Sequence, residues 1–397
     1  MPLITHTFTY LGVNIMKNLF KIALAAFGMF SAQANYQLLA SSGELNLNLP
    51  DQTFWISTSL RLENSGKVCF SLSGADNGIS KYGILCGDNS DNVKLFAGNG
   101  DEAISEFYLF NDAASGQDHV VFAPNNGYEH TGIYTINLET GKRLEHENFE
   151  GMFTGVSGVA MNSEDTLIYR HSFGTSKAKV VIKTLDEQKD VFTSFTNDMG
   201  YIFSPVTAGN YVLTKVRMGK STAESQPDRL YLYNIKKGSR QIVMQDRDGQ
   251  PSSKIKAIQN QYTVNKKGDI AVWAQTNEGV KLFASTNGII KSILSLGEMI
   301  SKFDGFAPAM NSNGDIVIRG YDKAGVAAIF KYVNGQWSKL IGEGDALSIN
   351  GVDYEVVDAT TSPFVHAPRI NDNGTIAFIV YVINPKTKKL STMVLKK

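Results

Sequence analysis

Seven times along this chain a polar residue, usually Asn, opens a turn of small or polar residues, and an alternating apolar run follows. The clearest copies are Asn265-Lys266-Lys267-Gly268 before Ile270 to Trp273, Asn311-Ser312-Asn313-Gly314 before Ile316 to Ile318, and Asn371-Asp372-Asn373-Gly374 before Ile376 to Phe378. Asn64-Ser65-Gly66 precedes Val68 to Phe70, and Asn162-Ser163-Glu164-Asp165 precedes Leu167 to Tyr169. Looser copies stand at Asn111, before Val120 to Phe122, and at Thr207-Ala208-Gly209-Asn210, before Tyr211 to Leu213. The spacings are 47, 51, 45, 58, 46 and 60 residues. Asn and Gly tolerate the positive φ of tight turns, and an Asn or Asp side chain can bond the backbone just ahead of it. The β-branched and aromatic residues that follow suit a pleated surface. A period near 50 made of short strands predicts an all-β fold, a seven-bladed β-propeller of four-stranded antiparallel blades.

The sixth unit shows the internal order most plainly. Strands are expected at 306–310, 315–321, 327–333 and 337–341, and the fifth unit repeats the order at 261–264, 269–274, 280–284 and 289–294. Counting predicts how the ring closes. The seventh unit has strands at 367–370, 375–382 and 390–395 and no fourth, whereas Tyr36 to Glu44 reads as an orphan fourth strand with its turn. The N-terminal strand is expected to complete the last blade and so remove the open sheet edges.

The segment before that strand reads as a targeting signal. Lys17 and Lys21 form a basic n-region, Ile22 to Phe30 an apolar core, and Ala32-Gln33-Ala34 supplies small residues for cleavage. Met16 reads as the effective start. The domain plan is therefore an upstream extension and signal peptide over 1–34 and a single propeller over 35–397, with 35–49 as the closing strand. Periplasmic, secreted or cell-surface placement follows. No later stretch reaches bilayer-spanning length. The 38 basic residues balance 38 acidic ones, and no basic stripe points to nucleic acid.

Export makes a disulfide feasible, and the two cysteines are placed for one. If Asn77-Gly78 forms a two-residue hairpin turn, opposed positions sum to 155, as Cys69 and Cys86 do. A cross-strand bridge is expected, with two buried free thiols as the alternative.

Chemical motifs are scarce. The five histidines beyond residue 34 show no short metal-ligand spacing, and no nucleophile elbow or phosphate loop occurs. The Asn/Asp/Gly turns fail the calcium-loop pattern, since Arg369 and Met244 would fall at the first ligand position. No catalytic residue, metal or cofactor is assigned. The two longest inter-blade connections run from Asp246 to Asn260 and from Glu343 to His366. Long loops at a propeller mouth are where ligands bind. Tyr354, Glu355, Asp358 and His366, with Arg369 and Arg61 on innermost strands, form the candidate ligand-binding set.

The run Pro368-Arg369-Ile370-Asn371-Asp372-Asn373-Gly374-Thr375-Ile376-Ala377-Phe378 resembles the repeat of uncharacterised secreted propeller proteins of Gram-negative bacteria. Pieces return at Ala328-Ile329-Phe330 and at Leu340-Ile341-Gly342-Glu343-Gly344-Asp345. The Asn-x-x-Gly turn is also distantly similar to the TolB-type propeller repeat. The resemblance implies the fold and export, and it brings no catalytic residues. The expected function is that of an exported non-catalytic binding or scaffold propeller, recognising protein or glycan through loops at the channel mouth. The alternative is a carbohydrate- or cell-wall-active hydrolase or lyase with its site there. Oligomeric state is open.

Overall fold

A computed structural model describes residues 36–42 and 53–397, except 77–78, 99–106, 110–118, 125–129, 151–153, 175, 197, 224–225, 247–253 and 360–361. The proposed signal segment and the loose turn at Asn111 lie outside the described residues. The described chain is all strand and turn, and it forms seven antiparallel sheets that succeed one another in chain order. Each sheet is one blade of a β-propeller. Contacts link neighbouring blades all round the ring, between innermost strands at most joints and through the second and third strands of blade two at its joint with blade three, and the seventh blade meets the first.

The strand order of a blade follows the sequence. In the fifth it is Ile255–Val264, Ile270–Thr276, Gly279–Thr286 and Ile289–Ser295, each paired to the next. The second strands are buried on both faces because a blade is covered by neighbours on both sides. Ile376 to Val380 are all 4% exposed or less. That explains why these strands read as near-continuous apolar runs; each such side chain contributes about 1.5–3 kcal/mol by leaving water. Outer strands meet solvent, as at Gln336, Ser338 and Lys339 of Gln336–Gly342, while the strand's Ile341 stays buried.

The ring closes as the strand count predicts. Gln37–Ser41 pairs antiparallel with Leu390–Lys396, so the first described strand is the outermost strand of the last blade. Leu38 joins the core of blade seven, while Leu39 and Ala40 join the core shared with blade one. The disulfide also forms. The hairpin register runs from Asp76 opposite Ile79 to Cys69 opposite Cys86, and those two sulfurs are bonded.

The recurring Asn does more than bend the chain. In the third, fifth, sixth and seventh blades its Oδ1 accepts two backbone N–H groups of its own turn, as Asn311 does from Asn313 and Asp315 at 2.9 Å each. Its Nδ2 then donates to a carbonyl in the next blade's turn: Asn162 to Gly209, Asn265 to Asn311, Asn311 to Asn371, and Asn371 to Glu63. One side chain therefore both builds a turn and stitches two blades together. Asp372 adds a second layer of stitching at the same end of the ring. It accepts from the Ser312 backbone N–H (2.8 Å), Asn64 Nδ2 (2.9 Å) and Lys266 Nζ (3.3 Å). Partial burial pushes its carboxyl up, but the Ser312 and Asn64 hydrogen bonds and the Lys266 charge outweigh this and hold it at about 2.

Two expectations need correction. The connection from Asp246 to Asn260 is not a long loop, because its second part is already the innermost strand of blade five from Ile255. The stretch from Glu343 to His366 carries a hairpin, Ala346–Ile349 against Val352–Val356. Leu347, Ile349 and Val356 alternate inward and are buried in the core of blade seven, which turns the segment into added strands.

Candidate functional site

The inner wall of the ring is made of bulged strands. In blade five the four steps from Ile258 to Tyr262 lie against the two steps from Ala274 to Val272. In blade one Ile56 to Leu60 does the same against Leu72 to Phe70. In blade seven Val365 N–H bonds Ile379 O and Arg369 then pairs with Ala377. A bulge of this kind leaves carbonyl groups without ladder partners.

The preceding blade supplies the missing donors. Arg170 Nε donates to Ile202 O (2.7 Å), Lys215 Nζ to Ile258 O (3.0 Å), and Arg319 Nη1 to His366 O (3.0 Å). These three cations lie on second strands, each eight residues past the first residue of its turn motif at Asn162, Thr207 and Asn311. Blade five has Trp273 at that position, stacked on Phe303 with centroids 5.0 Å apart. Blade seven has Ile379, and there Arg369 of the innermost strand donates to Leu60 O instead (3.0 Å).

Between blades four and five the wall opens into a cavity of about 390 Å³. Tyr201 and Phe203 come from the innermost strand region of blade four, Lys215 and Arg217 from its second strand, and Gln259 and Asn260 from the bulge of blade five. Asp228 joins the two cations, with Lys215 Nζ at 3.2 Å and Arg217 Nε at 2.9 Å. Asp246 fixes Asp228 in turn: its carboxylate accepts the backbone N–H groups of Asp228 and Ile258, both at 2.7 Å. Lys215 Nζ sits 4.0 Å from the centroid of the Phe203 ring, which Arg217 also overlies at 5.4 Å. Burial lowers the Lys215 ammonium below its ordinary value, and Asp228 pulls it part of the way back. The result is an open, polar pocket with an aromatic floor and a lysine whose pKa burial draws below its ordinary value.

The residues expected from sequence fall into three groups. His366 and Arg369 lie together on the bulged innermost strand of blade seven, both half-buried, and the Arg369 charge is felt at His366. Arg61 is on the wall as expected, but its side chain is only 1% exposed and is committed to Glu63 (3.0 Å) and His119 O (2.8 Å). It joins blades one and two and is closed off from a ligand. Tyr354 and Glu355 sit on the added hairpin, Tyr354 packed against the blade-seven core and Glu355 exposed, and Asp358 is exposed just beyond. The pocket of Tyr201, Phe203, Lys215 and Arg217 was not anticipated. Its sequence signal was a cation inside an otherwise apolar second strand, as in Tyr211-Val212-Leu213-Thr214-Lys215-Val216-Arg217. Among the described residues no three His, Cys, Asp or Glu side chains are grouped to hold a metal ion.

No family model matches the chain, and no curated protein matches it in sequence. Solved structures do match in fold. The β-propeller domain of the trilobed protease from Pyrococcus furiosus, described as having an open velcro topology, aligns with a TM-score of 0.53 at 11% identity, over 86% of this chain and 93% of that one. A prolyl endopeptidase aligns at 0.51 and 11% identity, over 86% of this chain and 50% of that one. An acylaminoacyl peptidase aligns at 0.51 and 12% identity, over 83% and 49%. The chain thus spans about half the length of these two peptidases. At such identities the likeness establishes the fold. It also corrects the expectation of a non-catalytic scaffold, because the matching propellers belong to hydrolytic enzymes, and the enzymatic alternative is the one to carry forward.

Proposed function

We propose that this chain is a hydrolase or lyase that cleaves a carbohydrate or cell-wall polymer at the Tyr201–Arg217 pocket of the channel mouth. The observation that carries the reading is the pocket's chemistry: a lysine lowered by burial, a guanidinium and an aromatic floor share one open cavity. Phe203 and Tyr201 offer a platform on which a sugar ring stacks. Arg217, fixed by Asp228 and by the Thr222 carbonyl at 3.0 Å, orients an acidic or hydroxyl group of the substrate. Lys215 moves the proton, because a depressed pKa places an amine nearer the working pH of a general base. The disulfide is compatible with work outside the reducing cytoplasm.

The test is turnover by the purified protein on a panel of neutral and acidic polysaccharides and peptidoglycan. Reducing ends report hydrolysis, and absorbance of a new carbon–carbon double bond reports elimination. Lys215→Met should lower kcat by about 10²–10⁴-fold, and Phe203→Ala should raise KM. For the active enzyme, kcat/KM should rise with pH through an ionisation below the ordinary lysine value. An absence of cleavage on every member of the panel would sink the reading.

A further inference from the structure

We infer that Arg369 and His366, across the ring from the pocket, form a recognition subsite for a sugar acid, Arg369 taking its carboxylate and His366 accepting one of its hydroxyls. The inference rests on the polymer-cleaving reading and adds the class of substrate.

Placement comes first. His366 lies in the bulge of the innermost strand of blade seven and Arg369 at its end, where it pairs with Ala377, three blades from blade four, and both are half-buried. A bulge re-aims side chains out of the ladder, and the innermost strand is the one nearest the channel. Arg369 spends its Nε on Leu60 O, which fixes the plane of the guanidinium. The two terminal nitrogens remain as the fork that matches a carboxylate.

Charge comes second. Arg61, Lys215, Arg217 and Arg319 each have a carboxylate within ion-pair distance, namely Glu63, Asp228, Asp228 again and Asp304. Among the described residues Arg369 has none, and neither does Arg170, the cation over the Tyr201 ring on the other wall. Burying a guanidinium without a counter-charge is costly, so its complement is an anion that arrives from outside. Burial alone lowers Arg369, to about 10, which leaves it charged at any working pH.

His366 sets the second half of the specificity. Its Nδ1 lies 3.0 Å from Ala367 O, so that nitrogen carries the proton and Nε2 presents a lone pair. Burial first, then the Arg369 charge, keep the ring neutral down to about 3. A neutral acceptor beside a cationic fork fits a group that joins a carboxylate to a hydroxyl donor, as a uronic acid does. Sulfate, which has no hydrogen to donate, would engage the fork and leave the imidazole unused. Phe306, edge-on to His366 with centroids 6.1 Å apart, supplies an apolar side to the subsite. A substrate that touches both this subsite and the Lys215 pocket spans the channel, so it is an oligomer and not a single sugar.

The experiment is calorimetric titration with a hexuronic acid trisaccharide (trigalacturonate or trimannuronate) and with neutral maltotriose. Wild type should bind the acidic trisaccharide and ignore maltotriose. Arg369→Gln should weaken binding by about 10–100-fold, the worth of charge-assisted hydrogen bonds. Arg369→Lys should fall between, since it keeps the charge and loses the fork. His366→Phe should lose about fivefold, one neutral hydrogen bond. Melting curves of the variants identify any that fail to fold. The Nε2 resonance of His366 in wild type provides a readout that needs no variant: it should shift with the uronate and stay still with maltotriose. A folded Arg369→Gln that binds the uronate as wild type does, or a His366 signal unmoved by it, would overturn the subsite whatever cleavage assays give. Uronate bound through Arg369 with no cleavage of any polymer would leave the subsite standing and overturn the enzymatic reading.

Discussion

Asp372 shows how one carboxylate can hold several blades. It touches residues of the first, fifth and sixth blades from its own place in the seventh, so its charge is shared among four sheets. Its folded value, about 2, lies below the 3.8 of a free carboxyl. A depressed carboxylate contributes stability that is fully present above the unfolded value and is lost as pH falls through the folded one. Asp372→Asn should therefore destabilise the protein by about 1–2 kcal/mol at pH 6. Urea titrations of both proteins should show that gap narrowing from about pH 4 downward toward pH 2. A gap of constant size over that range would mean that Asp372 acts through shape and not charge.

At the level of the turn and its blade, the Asn motif separates into two tasks that different substitutions divide. Asn311→Ala removes the acceptor for Asn313 and Asp315 and the donor to Asn371 O. It should cost about 2–4 kcal/mol, the range for leaving buried backbone groups unpaired. Asn311→Asp combined with Asp315→Asn keeps an acceptor for the turn and exchanges the amide and the carboxylate of the 2.9 Å contact between positions 311 and 315, so it loses only the donor to the next blade and should cost visibly less. Equal losses in denaturant midpoint would show that the stitch between blades outweighs the turn. The turns were legible in sequence because Asn and Gly mark backbone geometry locally. The closing strand and the disulfide were legible because strand counting and hairpin register are arithmetic. The bulges were not legible. Ile258 to Tyr262 reads as ordinary strand, and only pairing with Ala274 to Val272 exposes the two extra residues. The pocket was hidden for the same reason, since Arg217 and Asp228, 11 residues apart in sequence, meet only through pairing between strands, and Lys215 reaches Asp228 across the same pair. His366 and Arg369 were singled out in sequence because they sit next to the motif itself.

At the scale of the whole ring, the added hairpin and the closing strand both thicken the seventh blade, which becomes a six-stranded sheet. Deleting residues 36–42 should leave the last strand, Leu390–Lys396, as an open edge and bury Leu38, Leu39 and Ala40 nowhere. The expected outcome is a lowered melting temperature together with concentration-dependent association, read by light scattering. A truncated protein that stays monomeric with an unchanged melting temperature would show that the ring does not depend on this strand.

The pairing of Gln37 with Lys396 has a consequence for how the molecule comes into being. A ribosome makes the first of these residues 359 residues before the second, by the difference of their numbers. Until the final strand is finished, the earliest one has no partner, and every partial product carries an unsatisfied edge at each end of the stack. A chain cut short by a premature stop cannot hide that defect, because no other strand occupies the joint. The architecture thus acts as a completeness check: only a full-length product presents a surface without a loose end for a protease to seize.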